Sequence, residues 1–303
     1  MSVGIENPPE TKVLDRVRFG PTNRRNFIRL AAATGFSLVA ADSVLLAPNL
    51  PHIVRKEIPL RRWPARLEGF TVALLSDFHY DPVFSVHPLR AAVSMVNALH
   101  PDLIVLTGDF VTSSAFTDDE QAAAQAVPCA RLLRQMHAPH GLWATLGNHD
   151  CSTDPEIVTG ALVAEGIQVM DNQSVAIESN GGRFWLSGVN DVLNRFADLD
   201  KALADVPNDE ATVLLAHEPD FADRVARHPV DLQLSGHSHG GQVRIPLLPP
   251  LYLPRLGKKY YWGLYNIGSL TLYTNAGLGT IGVPARLNCP PEITLITLRT
   301  SAS

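Results

Sequence analysis

Five short segments of this chain are built from residues that bind cations: Asp77-Phe78-His79, Gly108-Asp109, Gly147-Asn148-His149-Asp150, Ala216-His217 and Gly236-His237-Ser238-His239. Taken singly they say little. An Asp after a strand ordinarily caps a helix, Asn148 after Gly147 suits a turn, and a lone His is ordinarily a solvated or satisfied residue. Taken together they are selective, because five of the chain's 11 histidines (His79, His149, His217, His237 and His239) fall inside them. A donor set of carboxylate, imidazole and amide groups with no thiolate suits Mn, Fe or Zn and not a soft-metal site.

Each segment sits where a strand stops. Phe70–Ser76, Leu103–Thr107, Leu142–Leu146, Val213–Ala216 and Leu232–Ser235 are short apolar runs of strand length, and each leads directly into one of the polar segments. Helical spacing of apolar residues covers Leu89–Leu99 and Gln121–Met136, the second with Pro128 as a point of kinking, and a helix can span Pro219–Ala226. Further strands are expected at Ser174–Ile177, Phe184–Gly188, Leu272–Asn275 and Ile293–Leu298, and Pro246–Tyr261 reads as a long loop. Strands alternating with helices imply an α/β sheet covered by helices. In such sheets the ligand site lies beyond the carboxyl ends of the strands, so groups remote in sequence converge there.

Bulk properties fit a globular protein. The 303 residues are 46% hydrophobic and 18% charged, and a net charge of −5 lacks the basic footprint of a dedicated nucleic-acid binder. Cys129, Cys151 and Cys289 are an odd, scattered set with no zinc-ribbon spacing; they leave room for one disulfide but not for a disulfide framework. No run of 18 uncharged apolar residues is present, which speaks against an ordinary membrane span in the body of the chain.

The N-terminal region differs. Thr22-Asn23-Arg24-Arg25-Asn26-Phe27-Ile28-Arg29 precedes a mildly apolar run, Leu30–Ala41, rich in Ala, Thr, Gly and Ser. A charged region, a short apolar region and small residues at its end are the parts of an export signal, and paired arginines before an aromatic and an aliphatic residue resemble a twin-arginine signal. Val39-Ala40-Ala41 offers a cleavage site before Asp42; retained, the segment would serve as an anchor. The expected organisation is a signal or anchor over 1–41, a linker over 42–66 and one domain over 67–303. Arg61-Arg62-Trp63 and Lys258-Lys259-Tyr260-Tyr261-Trp262 suit contact with a membrane surface, binding of a lipid-like substrate or ordinary loop packing. His52, His87, His100, His137, His140 and His228 lie outside the segments and read as loop or helix-end residues.

In this order and with these spacings, the five segments resemble the calcineurin-like metallophosphoesterase superfamily, over about Phe70 to Leu298. The likeness is greatest to its exported YkuE-like and YaeI-like phosphodiesterase branch, through Gly236-His237-Ser238-His239-Gly240-Gly241-Gln242, Gly277-Leu278-Gly279-Thr280 and Pro290-Pro291-Glu292-Ile293. The resemblance implies a four-layer αββα sandwich of two mixed sheets flanked by helices, with two divalent metal ions where strand ends meet. Carried onto this chain, the first metal falls to Asp77, His79, Asp109 and His239. The second falls to Asp109, Asn148, His217 and His237, which makes Asp109 the bridge. A hydroxide between the metals would attack phosphorus, and His149 would stabilise charge or protonate the leaving oxygen. Asp150 could orient His149 or serve a local turn.

One departure bears on substrate. Protein phosphatases of the superfamily place an Asp shortly after the Gly-Asp pair to support the catalytic histidine, whereas Thr112 stands there in Asp109-Phe110-Val111-Thr112. Their paired phosphate-binding arginines have no counterpart either, so a phosphodiester is favoured, with envelope lipids or nucleotide-linked sugars as the expected substrates. The expected partners are a phosphoester substrate, the twin-arginine export machinery and a membrane surface; the chain is expected to act as a monomer, in the periplasm, cell wall or on the outer face of the cytoplasmic membrane. The competing readings are a non-catalytic metal- or phosphate-binding envelope protein and a cytoplasmic nucleotide phosphodiesterase.

Overall fold

The computed structural model describes residues 24–113 and 118–301, so Thr22 and Asn23 of the signal-like segment lie outside the described residues. It divides into two units at Ala41. In the first, α1 (Arg24–Ala41) buries none of its side chains. Together with the turns that follow it to Asn49, it is long and apolar enough to cross a membrane, with a mean hydropathy of 1.7.

The second unit contains two six-stranded sheets. One is ordered β1 (His52–Leu60), β12 (Glu292–Thr300), β2 (Thr71–Leu75), β3 (Leu103–Thr107), β4 (Leu142–Thr145) and β5 (Gln168–Val169). The other is ordered β10 (Gly263–Ile267), β11 (Leu270–Thr274), β9 (Leu232–Ser235), β8 (Thr212–Leu215), β7 (Gly182–Gly188) and β6 (Gln173–Ser179). Strands β2 to β5 run parallel, as do β7, β8, β9 and β11, so the carboxyl ends within each set lie on one edge.

Strand residues alternate between two cores, as the period of two requires. Val72, Leu74, Leu103 and Val105 meet Phe184, Leu186, Val213, Leu215, Leu232 and Leu234 between the sheets. Ala73, Leu75, Ile104 and Leu106 point the other way, onto helices α2 (Val86–Leu99), α4 (Ala126–Leu133) and α6 (Pro155–Ala164). Leu214, Ala216 and Leu272 pack outward against α7 (Leu199–Ala202) and α8 (Ala222–Val225). Helix, sheet, sheet and helix therefore form four layers, the αββα arrangement implied by the motif order.

Two expectations are corrected. Residues 42–66 are not a linker. His52–Leu60 pairs with β12 over its whole length, from His52 opposite Glu292 to Leu60 opposite Thr300, and Ile58, Leu60 and Trp63 are buried in the inter-sheet core. The helix over Gln121–Met136 breaks at Gln125, not at Pro128, giving α3 (Asp119–Ala124) and α4. Proline has no N–H to give the carbonyl four residues earlier, at Ala124, so the chain turns there and Pro128 falls in the first turn of the next helix, where its missing N–H costs nothing. Asp118 caps α3 by accepting from the Glu120 and Gln121 amides, as the acidic run implied.

The basic and aromatic stretches are used inside the domain. Arg62 pairs with Asp231 at 2.8 Å, Lys259 with Asp223 at 2.8 Å, and Trp63 and Tyr260 are buried. No cysteine among the described residues is paired.

Since Ile58 is fully buried, Ile58→Ala should cost about 2–5 kcal/mol in denaturant unfolding, the range for truncating a core isoleucine. A loss below about 0.5 kcal/mol, the usual effect at a surface position, would return the segment to linker status.

Candidate metal centre

All seven residues expected to hold metal lie at the carboxyl edge: Asp77, His79, Asp109 and Asn148 follow β2, β3 and β4 of one sheet, and His217, His237 and His239 follow β8 and β9 of the second. Asp77, His79, Asp109, His217, His237 and His239 are each at most 5% exposed. Ligating atoms of Asp77, His79 and His239 lie within 4.8 Å of one another, and so do those of Asp109, His217 and His237. Asp109 Oδ2 joins the two groups, 3.5 Å from His79 Nε2 and 3.1 Å from His217 Nε2. Nε2 of His79 and of His239 face each other at 3.0 Å, and His239 Nε2 is 3.3 Å from Asp77 Oδ1.

The backbone carries these side chains inward at a cost. Asp77, His79, Asp109, His237 and His239 all have φ between +40° and +70°, the left-handed region. Asp and His tolerate it better than most residues but still pay about 1 kcal/mol or more each. Surrounding contacts hold them there. The His237 amide donates to both oxygens of Asp77, at 3.0 and 2.9 Å, tying the sheets together across 160 residues. The His217 ring bonds through Nδ1 to the Thr107 carbonyl at 2.5 Å, again from one sheet to the other. Gly236 and Gly147 permit this approach: a Cβ on Gly236 would collide with Ser76 Oγ and the Asp77 carboxylate, and one on Gly147 with the Asp109 carboxylate.

Asp150 does not orient His149. Its buried carboxylate accepts from the backbone amides of Gly147, Asp109, Phe110 and Val111, at 2.8–3.1 Å, and thereby latches the Asp109 loop to the Asn148 loop. Burial, reinforced by the nearby Asp109 charge, pushes this carboxyl up to about 7 against the pull of its amide donors. Thr112 does not stand behind His149 either, since its hydroxyl bonds His79 Nδ1 at 3.0 Å. Ser113 takes that place, with its amide donating to His149 Nδ1 at 3.1 Å and its hydroxyl 2.7 Å from the same atom. An amide can only donate, so Nδ1 is an acceptor and the neutral ring carries its proton on Nε2. The half-buried His149 ring stands edge-on to His79, with centroids 4.9 Å apart.

Sequence reasoning missed Ser113 and Arg286. The fully buried Arg286 guanidinium donates to the carbonyls of Ala276, Gly277, Gly279 and Cys289. It shapes the turn from which Leu278 and Gly279 donate to the carbonyls of Ser76 and Asp77. Its partners are all main-chain, so no side-chain pattern announced it.

The electrostatics are those of a site short of positive charge. Burial pushes His79 down to about 3, His237 down to about 4 and His239 well below the usual imidazole range, leaving all three as neutral donors. Burial raises Asp77 to about 6. It would raise Asp109 too, but the imidazoles of His217, His149 and His79 hold that carboxyl well below its ordinary value. Burial alone would lower His217, yet the carboxylates of Asp109, Asp77 and Glu218 keep it well above the usual range, so His217 carries the compensating proton.

Divalent cations fit this donor set. Asn148 Oδ1 and His217 Nε2 are buried with no hydrogen-bond partner, and such atoms are uncommon unless a further ligand claims them. His217 Nε2 is within 3.1 Å of Asp109 Oδ2 but poorly aligned for a hydrogen bond, which suits two donors facing a shared cation.

The comparisons with known proteins agree with the geometry. The calcineurin-like phosphoesterase model matches residues 70–241. The chain belongs to this family. It is 33% identical to the metallophosphoesterase YkuE of Bacillus subtilis over 84% of this chain and 88% of that one. It is 31% identical to the phosphodiesterase YaeI of Escherichia coli, over 91% of this chain and 99% of that one. It is 26% identical to LpxG of Chlamydia trachomatis, a UDP-2,3-diacylglucosamine pyrophosphatase, over 89% and 98%. This family member is a phosphoester hydrolase with candidate ligands for a dinuclear metal centre.

A metal must displace the His217 proton, so binding should release at least one proton at pH 7 and weaken as pH falls, more steeply once Asp77 protonates near 6. Calorimetric titration of Mn(II) in buffers of differing ionisation enthalpy measures this. Uptake without proton release would show that His217 is not a ligand.

Proposed function

We propose that this enzyme is a dinuclear phosphodiesterase acting outside the cytoplasm, with Asp77, His79, Asp109 and His239 holding one ion and Asp109, Asn148, His217 and His237 the other. The observation that carries the reading is the pair of buried donor groups, Asp77-His79-His239 and Asp109-His217-His237, linked by Asp109 Oδ2 at 3.5 Å from His79 and 3.1 Å from His217, with orphaned donor atoms on Asn148 and His217. The oxygen and nitrogen donors favour Mn, Fe or Zn. When bound, two such ions supply Lewis-acid charge for the phosphoryl oxygens and an acidified water as nucleophile.

The chain's own residues do the rest. Two carboxylates against two dications, with Asn148 neutral, leave a positive site for an anionic phosphate. Asp150 and the His237 amide keep the carboxylates in place, so little reorganisation is needed as charge develops on phosphorus. His149, fixed by Ser113 with its proton on Nε2, is poised to donate to the leaving oxygen or to a phosphoryl oxygen.

The diester preference rests on the lack of a counterpart to the protein phosphatases' phosphate-binding arginines and on the relatives named for a phosphodiesterase and a pyrophosphatase. Export rests on Arg24-Arg25 followed by an apolar helix.

Purified protein reconstituted with Mn should hydrolyse bis(p-nitrophenyl) phosphate faster than the monoester, and no turnover with any divalent metal would sink the enzyme reading. Asp109→Ala should lose metal and activity together. His149→Ala should retain its metals and lose at least about a hundredfold in kcat, the scale of a general acid; normal turnover would remove His149 from the mechanism.

Replacing Arg24 and Arg25 with Lys should trap the protein in the cytoplasm. Unchanged export, read by fractionation, would refute a twin-arginine signal.

A further inference from the structure

A cavity of about 640 Å³ opens from the metal ligands. It begins at Asp109, Asn148, His149, His237 and His239 and continues between two loops that present Val243, Leu251, Tyr252, Ile281 and Val283. We propose that this cavity is a subsite for a long alkyl or acyl chain, so that the diester cleaved at the metal centre is lipid-linked. The proposal rests on the phosphodiesterase reading above and specifies its substrate class.

Both apolar walls are registered to the metal ligands. Gln242, three residues after His239 and itself at φ +45°, clamps one wall: its amide nitrogen donates to the carbonyls of Ile281 and Val283, and its oxygen accepts from the Ile281 amide. The other wall is held through His237, whose Nε2 bonds the Arg255 carbonyl at 2.8 Å. A chain seated between these walls therefore has a fixed position relative to a phosphate at the ligands.

The polar side chains lining the walls have little left to offer a ligand. The Gln242 amide is committed to the 281–283 loop, and Ser238 Oγ donates to the Tyr261 carbonyl. A nucleotide or sugar would need donors and acceptors along these walls, whereas an alkyl chain needs none. Arg255, which also lines the cavity, is the cation there. At the mouth the apolar surface continues outward. Leu251 and Tyr252 are 62% and 72% exposed, and Ile245, Leu247 and Leu248 are exposed beside them in the chain. A soluble surface rarely carries so dense an apolar cluster unless something apolar docks on it.

A series of p-nitrophenyl alkyl phosphates, methyl to octyl, tests this with the Mn-loaded full chain. In each, water adds to phosphorus, the P–O bond to the aryl group breaks, and p-nitrophenolate and an alkyl phosphate leave. We expect kcat/KM to rise by about threefold for each methylene that enters the cavity. The double variant Leu251→Ser, Tyr252→Ser should lower the octyl-to-methyl ratio at least tenfold. Both side chains are largely solvent-exposed, so the variant should fold. Turnover that is flat along the series overturns the subsite and leaves the phosphodiesterase reading standing. If no ester turns over, that reading fails, and calorimetric binding of octyl phosphate against methyl phosphate decides the subsite by itself. Tighter octyl binding that the double variant abolishes supports it; equal binding overturns it.

Discussion

Two carboxylates and four imidazoles are buried together at the carboxyl edge of the sheets, and this crowding constrains everything around it. Removing a carboxylate from water costs several kcal/mol unless charge is returned to it. Within the protein, that return is chiefly the proton on His217 and the amide donors to Asp77. The remaining imidazoles are held neutral by burial. The left-handed backbone at five of these positions adds strain in the same place. A pair of dications would compensate the carboxylates, occupy the orphaned donors and repay the strain at once. The site is assembled for a ligand.

Such a site cannot be supported locally, and it is not. Each half reaches into the other sheet: His237 N–H to Asp77, and His217 Nδ1 to the Thr107 carbonyl. The register of the sandwich and the geometry of the centre are thus one property. Asp150 and Arg286 act beneath it, one collecting amides and the other collecting carbonyls. Both are buried charged groups spent on main-chain polar atoms that no strand partner satisfies, which is how irregular loops can be buried at all.

What was legible in the sequence follows from these physics. Parallel strands buried on both faces tend to be near-continuous apolar runs, so Leu103–Thr107 was readable to the residue, and Leu232–Ser235 was readable as an alternating strand running into Gly236-His237. Their polar termini were readable as a set because few other folds would bring them to one edge. The edge strand His52–Leu60 was not, since Arg55, Lys56, Glu57 and Pro59 are what an edge tolerates and a core strand does not. The support behind His149 was not legible for another reason. Adjacency in sequence suggested Asp150, and a family position suggested Thr112, but α5 (Asn148–Thr153) turns the Asp150 carboxylate away from the neighbouring ring and toward the amides of the Asp109 loop. Main-chain donors such as that of Ser113 leave no trace in residue type.

The ligand motifs fix a reaction and say little about its substrate, because the substrate walls come from loops that contribute no ligand. Residues 243–255 and 281–283 hang from Gln242 and His237, so they can vary in character while the centre keeps its shape. Their apolar lining also bears on rate. Electrostatic stabilisation by fixed dipoles and ions strengthens as water leaves the site. A chain that fills the cavity would expel water from beside the phosphorus, and part of its binding energy would then appear in kcat as well as in KM. On this view the apolar cavity and the charged centre work together: the first supplies the low dielectric in which the second, already strained and short of solvation, acts most strongly on a phosphoryl group.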